Sequence, residues 1–274
     1  MTGANGIYEL LFFVKDSRRL EKFRKQVVKT EADNATKSND QIERTFWKSI
    51  KLSPPLYGAD VPGSLMKKGI PWNLSELDTC LEKGLAETNI PGVTDPYLYF
   101  GAWKTIFGWH KEDFDLYSIN FLHHGASKFW YSIDLDQNAE FEQFVRKKLP
   151  ELHKSCPEFL RHKNTLIHPK VLLKAGIKLQ KIVHNAGEFI VIRDSAYHSG
   201  FNAGFNIAEA VNFALPHWIK ETAPFVSFCL CRKDNVTINI DDFLKRLKRK
   251  RKRVEPVEKK KRGRPRKQEE KSSK

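Results

Sequence analysis

The sequence predicts a mainly β domain with flanking helices (α+β), either a sheet-rich barrel or a double-sheet jelly roll. Two observations carry this. From Tyr97 onward, short stretches rich in aromatic and β-branched residues (Tyr97–Phe100, Leu116–Leu122, Phe129–Ile133, Phe189–Ile192 and Ala208–Phe213) alternate with turns containing Gly or Asp. The helical inserts between them, at Ala139–Leu149 and Lys170–Ala175, are too few for alternating βαβ units.

The elements before Tyr97 read as helices. Ser17 is placed to cap a segment running to Val28, and Ile42 to Ile50 forms a second helix before the Pro54-Pro55 break. Asn73 to about Leu85 sets Leu74, Leu77, Leu81 and Leu85 at helical spacing, with Cys80 beside the stripe as a buried thiol. After Phe243 the apolar content collapses, and the like-charged run Lys248–Arg253 favours an extended tail. The expected organisation is an N-terminal helical segment (1–56), a core domain (57–243) and a basic disordered tail (244–274).

The chain has 274 residues, 40% hydrophobic and 12% aromatic, enough to bury a core and too apolar for wholesale disorder. Its net charge of +15 is unevenly placed. Of 48 Lys and Arg and 33 Asp and Glu, 17 and 4 fall between Lys245 and Lys274, leaving a nearly neutral body of 31 and 29. Four cysteines are too few for a disulfide framework, and the longest apolar run, Tyr8 to Val14, is broken by Glu9. These features suit a soluble, intracellular protein with no membrane partner.

His110-Lys111-Glu112 follows the strand-like stretch Trp103–Trp109. Side chains two apart on a strand share a face, so this His and carboxylate can reach one ion. His198, after another strand-like stretch, is a third candidate. Two His and one carboxylate on one face of a metal, with the other positions open, suit a non-haem iron(II) oxygenase. His123, His124, His153, His168, His184 and His217 read as ordinary core or surface histidines.

Tyr97-Leu-Tyr-Phe-Gly, Trp103-Lys-Thr, Trp109-His-x-Glu-Asp, Asp115-Leu-Tyr-Ser-Ile-Asn, Trp130-Tyr-Ser-Ile, Phe159-Leu-Arg-His-Lys, Ala186-Gly-Glu-Phe and Tyr197-His-x-Gly-Phe-Asn together resemble the JmjC-domain histone lysine demethylases. The resemblance is nearest to the zinc-containing subgroup acting on trimethylated lysines 9 and 36 of histone H3. It implies a cupin-like double-stranded β-helix that uses iron(II), 2-oxoglutarate and O2, acts on the histone H3 tail or nucleosome, and works in the nucleus. His110, Glu112 and His198 match the iron ligands. Tyr57, Asn120, Lys128 and Phe107 match the 2-oxoglutarate contacts, and Lys163 matches a lysine near the oxygen site. Gly92, Tyr97, Tyr99, Glu112, Ala210, Val211 and Asn212 correspond to the methyl-lysine pocket, Ala210 and Val211 standing where close relatives carry small hydroxyl residues. A JmjN segment is not recognisable; a degenerate remnant would fall at Tyr8–Val14. Non-catalytic chromatin binding and protein hydroxylation are the alternative functions.

Cys229-Leu-Cys231 sets two thiols within reach of one ion, and the resemblance adds Cys156 and His162 to complete a closed structural zinc site. A regular helix would separate Cys156 from His162 by about 9 Å, so Cys156 is expected to precede the helix that Pro157 starts. In the tail, residues 261–267 resemble an AT-hook. Gly263 and Pro265 keep its backbone narrow, while Arg262 and Arg264 suit the minor groove of A·T-rich DNA. Lys248–Arg253 also suits nuclear import. Deleting the last thirty residues should therefore weaken duplex-DNA binding and nuclear retention while sparing turnover of short peptides, as gel shift, imaging and peptide assays would check.

Overall fold

A computed structural model of the chain describes residues 1–28, 34, 36–85, 89–229, 231 and 238–253. In chain order these form β1 (Thr2–Ala4), β2 (Ile7–Glu9), α1 (Leu20–Val28), α2 (Asn39–Ser49), β3 (Gly58–Pro62), α3 (Cys80–Gly84), β4 (Tyr97–Gly101), β5 (Ile106–His110), β6 (Tyr117–Gly125), β7 (Lys128–Ile133), α4 (Asn138–Lys148), α5 (Pro150–Ser155), β8 (Thr165–Ile167), α6 (Pro169–Lys174), β9 (Leu179–His184), β10 (Phe189–Ile192), β11 (His198–Asn202), β12 (Asn206–Phe213), α7 (Pro216–Glu221) and α8 (Ile240–Arg253). No described helix is long and apolar enough to cross a membrane.

Two antiparallel sheets face each other, in the orders β10-β6-β12-β4-β3 and β5-β11-β7-β9. Of the two architectures that the strand pattern leaves open, this is the double-sheet jelly roll. Residues directly opposite across a ladder share a face. The outer face of the four-stranded sheet presents Phe129, Tyr131, Ile133 and Phe201 to the main core, with Phe46 of α2 and Phe141 and Val145 of α4. The Phe46 and Phe201 rings stack at 3.8 Å. The outer face of the five-stranded sheet presents Ile119 and Val211 to Leu74. Both outer faces being apolar, the inner faces can carry polar residues: Asn120, Lys128, His198, Asn202 and Asn212 are all buried.

Local chemistry sets the helix boundaries. Ser38 and Gln41 form a reciprocal capping box at the start of α2, which ends before the Pro54-Pro55 pair. The helix expected over 73–85 divides into a 3-10 turn at Leu74–Glu76 and the short α3. Thr79 is extended between them, accepting a hydrogen bond from the Leu81 amide and exchanging two with the Ala214 backbone. Tertiary hydrogen bonds thus override the leucine periodicity. Ser17 is not the cap of α1, which starts three residues later.

Two expectations for the chain ends are corrected. The N-terminal region is not wholly helical: β1 and β2 form a hairpin through Asn5-Gly6, both at positive φ, and β2 adds to β8. At the other end the charged run is helical, not extended, through Arg253. Asn239 caps the Asp242 amide, and Asp241 and Asp242 lie at the positive end of the helix dipole. Phe243 anchors α8 against Trp218, its ring occupying the space that a Cβ on Gly84 would fill. Phe243→Ala should cost about 3–5 kcal/mol, measurable as a lowered Tm and denaturant midpoint.

Candidate metal and cosubstrate site

The β5–β11 pairing sets His198 opposite His110, with ring centroids 4.2 Å apart. The chain leaves β5 through Lys111 and turns at Glu112, whose Oε1 lies 3.4 Å from His198 Nε2. One ligand atom from each of the three residues lies within 4.8 Å of the others. Each Nδ1 faces a backbone carbonyl, Gly108 O at 2.7 Å and Ala196 O at 3.1 Å, so each donates there and leaves the Nε2 lone pair for an ion. Burial, together with the charges of His198 and Lys163, pushes His110 well below the ordinary histidine range. For Glu112, burial is outweighed by the His198 hydrogen bond and the charges of His198, Lys163 and His110, which hold it well below the usual carboxylate range. A neutral imidazole at His110 and an ionised carboxylate at Glu112 are forms that bind a divalent cation.

Beside this trio Lys128 is 4% exposed. Its ammonium lies 5.1–5.4 Å from the ring centroids of Phe107, Trp130 and Tyr99, which belong to both sheets. Among the described residues no carboxylate comes within 4.0 Å of it. Burial pulls its pKa down to about 8 against the raising effect of Glu112. The buried Trp130 Nε1 likewise lacks a hydrogen-bond partner. A buried cation beside an unpaired donor fits an incoming anion. Asn120 is buried on the inner face of the opposing sheet, its amide donating to Ser118 Oγ at 3.2 Å. The Tyr57 ring lies 6.3 Å from that of Tyr99, and burial, reinforced by Asp60, keeps the Tyr57 hydroxyl protonated far above the usual range.

Most of the expected pocket residues share this space. Ala210 pairs with both Asn120 and Tyr97, and Asn212 donates its amide to Tyr117 O at 3.1 Å. Gly92, at φ +78°, lies against the Tyr97 ring, where a Cβ would collide at 2.5 Å. Lys163 has its Nζ 3.6 Å from Asp113 and its charge near Glu112 and Asp60. Val211 is the exception. It faces the opposite side of β12, packed with Leu74 and Ile119, because alternation along a strand cannot put consecutive residues on one face. Arg262, Gly263, Arg264 and Pro265 lie outside the described residues.

The second cluster is compact. His162 Nε2 is 3.3 Å from Cys229 Sγ and 3.0 Å from Cys231 Sγ, Cys229 is 3.0 Å from Cys231, and Cys156 is 3.6 Å from Cys229. None of these cysteines is in a disulfide. Cys156 closes α5 in an extended conformation, and a 3-10 turn at Phe159–His162 returns His162 to it. Burial raises the Cys156 thiol to about 12, whereas hydrogen bonds from Cys231, His162 and Cys156 overcome burial at Cys229 and bring it to about 6. Three sulfurs and one imidazole at these separations suit a tetrahedral zinc ion.

Sequence reasoning gave no role to Asp60, Arg161 or Glu209. Asp60, at φ +55°, sits next to Tyr57 and Tyr99. Glu209, fully buried, accepts from Ser64 Oγ at 2.6 Å and the Leu65 amide at 3.0 Å and pairs with His123 at 2.8 Å, tying the turn after β3 to the sheet. A carboxylate inside the apolar stretch Ala208–Phe213 was the available signal for it.

Residues 97–213 match the JmjC domain, hydroxylase, family model. That stretch begins with β4 and ends with β12, so it takes in both sheets apart from β3, together with His110, Glu112, Lys128 and His198. The chain is 46% identical to Lysine-specific demethylase 4B of Mus musculus over 209 residues, which is 75% of this chain and 19% of the relative. It is also 46% identical to Probable lysine-specific demethylase 4F of Homo sapiens over 207 residues, covering 74% and 32%, and 44% identical to Lysine-specific demethylase 4D of Rattus norvegicus over 209 residues, covering 75% and 41%. The chain thus spans well under half the length of these relatives.

Because the lowered Lys128 pKa means that the unfolded chain binds more protons, stability should rise with pH from about 8 toward 9.5, before tyrosine ionisation intervenes. Lys128→Met should remove that rise and stabilise the ligand-free protein by about 3 kcal/mol at neutral pH, as denaturant titrations across this range would test.

Proposed function

We propose that the chain is a histone lysine demethylase, removing methyl groups from tri- and dimethylated lysine 9 or 36 of histone H3 with Fe(II), 2-oxoglutarate and O2. The observation that carries the reading is the convergence of His110, Glu112 and His198 next to the buried, carboxylate-free cation of Lys128. The names of the relatives, all lysine-specific demethylases, support the substrate class.

A trimethylammonium nitrogen has no lone pair, so the methyl group must be attacked at its C–H bond. Iron and 2-oxoglutarate, when bound with O2, supply the oxidant, and the products are succinate, carbon dioxide and formaldehyde. His110, Glu112 and His198 would hold the ion. Lys128 and Tyr57 would bind the distal carboxylate of 2-oxoglutarate, with Asn120 as a further contact and Phe107 packed against the cosubstrate. Lys163 flanks the oxygen site. Tyr97, Tyr99, the Gly92 carbonyl, Ala210 and Asn212 surround the methylated ammonium with aromatic faces and oxygens, which favours a cation that has no N–H to donate. The Cys156, His162, Cys229 and Cys231 cluster binds a structural zinc that pins the segment after Phe225 to the domain. The basic tail directs the protein to the nucleus and binds A·T-rich DNA. The domain boundaries at 57 and 243 describe the catalytic unit.

Mass spectrometry of methylated H3 peptides incubated with the protein, iron(II), ascorbate and 2-oxoglutarate should show loss of 14 Da per cycle, abolished in His198→Ala. A gain of 16 Da instead would assign a hydroxylase, and no change with retained histone binding would assign a non-catalytic reader. Since free Lys128 loses its proton above about pH 8, 2-oxoglutarate affinity, read by calorimetry with a redox-inert divalent metal, should be constant below that pH and fall above it.

A further inference from the structure

A polar network with Arg161 as its hub takes in the Glu112 carbonyl and the chain neighbours of His110 and His198. Its side chain is 8% exposed. Nη1 donates to Glu112 O at 3.2 Å, Nη2 to Asp115 Oδ1 at 2.7 Å and Ser227 Oγ at 3.3 Å, and Nε to Glu158 Oε2 at 3.2 Å. Asp115 also pairs at 3.2 Å with Lys111, the residue between His110 and Glu112. The Lys111 ammonium lies 5.2 Å from the ring of Tyr197, the neighbour of His198, and the Tyr197 hydroxyl donates to Glu142 at 2.9 Å. Phe114 and Asp115 both sit at positive φ, a strained turn that its surroundings must hold. Arg161 itself precedes His162, and Ser227 lies two residues before Cys229.

We infer that Arg161 is a positioning residue that transmits the placement of the Cys156/His162/Cys229/Cys231 cluster to the Glu112 carboxylate. The guanidinium meets Glu112 at its backbone carbonyl. It clamps the Glu112 carbonyl and the strained 113–115 turn to the segment that holds the thiols. A planar fork with five donors can serve these acceptors together, and the single ammonium of lysine cannot. The function proposed above supplies the two metals, but the clamp rests on contacts within the chain alone.

The test uses the zinc-loaded full chain, comparing wild type with Arg161→Lys, Arg161→Gln and the milder Ser227→Ala. Amide exchange of residues 110–116 should accelerate at least tenfold in the Arg161 variants and less in Ser227→Ala, with the β6–β12 ladder unchanged. Cobalt(II) binding at the His110 site, read from its visible absorption, should weaken tenfold or more. Mild removal of zinc should reproduce both changes in wild type and add little in the Arg161 variants. Unchanged exchange at 110–116 would overturn the clamp, and so would faster exchange with unaltered cobalt affinity. Full additivity of the two perturbations would overturn the transmission. Wild type failing to bind cobalt would instead sink the iron-site reading, with amide exchange still judging Arg161.

Discussion

The pairing of β11 with β5 is the constraint on which the site depends. It places His198 opposite His110, and the two-residue exit from β5 brings Glu112 to the same point. A register slip of one residue would turn His198 away and send Phe201 from the core to the site side, exposing its stacking with Phe46 and Phe129. Apolar packing on the outside of the sheet therefore enforces ligand geometry on the inside.

The same two-faced logic explains how the domain tolerates so much buried polarity. Burying an unpaired ammonium such as Lys128 costs stability, and aromatic faces offset it only in part. The large apolar outer faces supply the difference. The inner space is consequently poised for an anion, and ligand binding would relieve a destabilising element of the free protein. This is the expected trade between stability and function at a preorganised site.

Around that interior, charged clamps fix pieces that have no regular structure of their own. Glu209 ties down the turn after the strand that follows Tyr57, and Arg161 ties the Glu112 turn to the cysteine segment. Both are buried and multiply bonded, so each specifies one loop position where propensity alone leaves many.

Alternating aromatic and β-branched stretches by themselves determined the sheet-rich class and the positions of β4, β5, β6, β7, β10 and β12. The His-x-Glu spacing, the lone His198 and the Cys-x-Cys pair determined which side chains could converge, since ligand chemistry is a property of residue type. The Asn5-Gly6 turn went unread, its two positive-φ residues falling in a segment expected to be helical. Only the tertiary structure decided which strands pair, that Val211 turns away while Ala210 and Asn212 turn in, that Thr79 divides the expected 73–85 helix, and that α8 continues through its charged run. Those outcomes depend on partners distant in the chain, such as Ala214 for Thr79 and Gly84 and Trp218 for Phe243, and local periodicity carries no information about which distant surface a residue will meet.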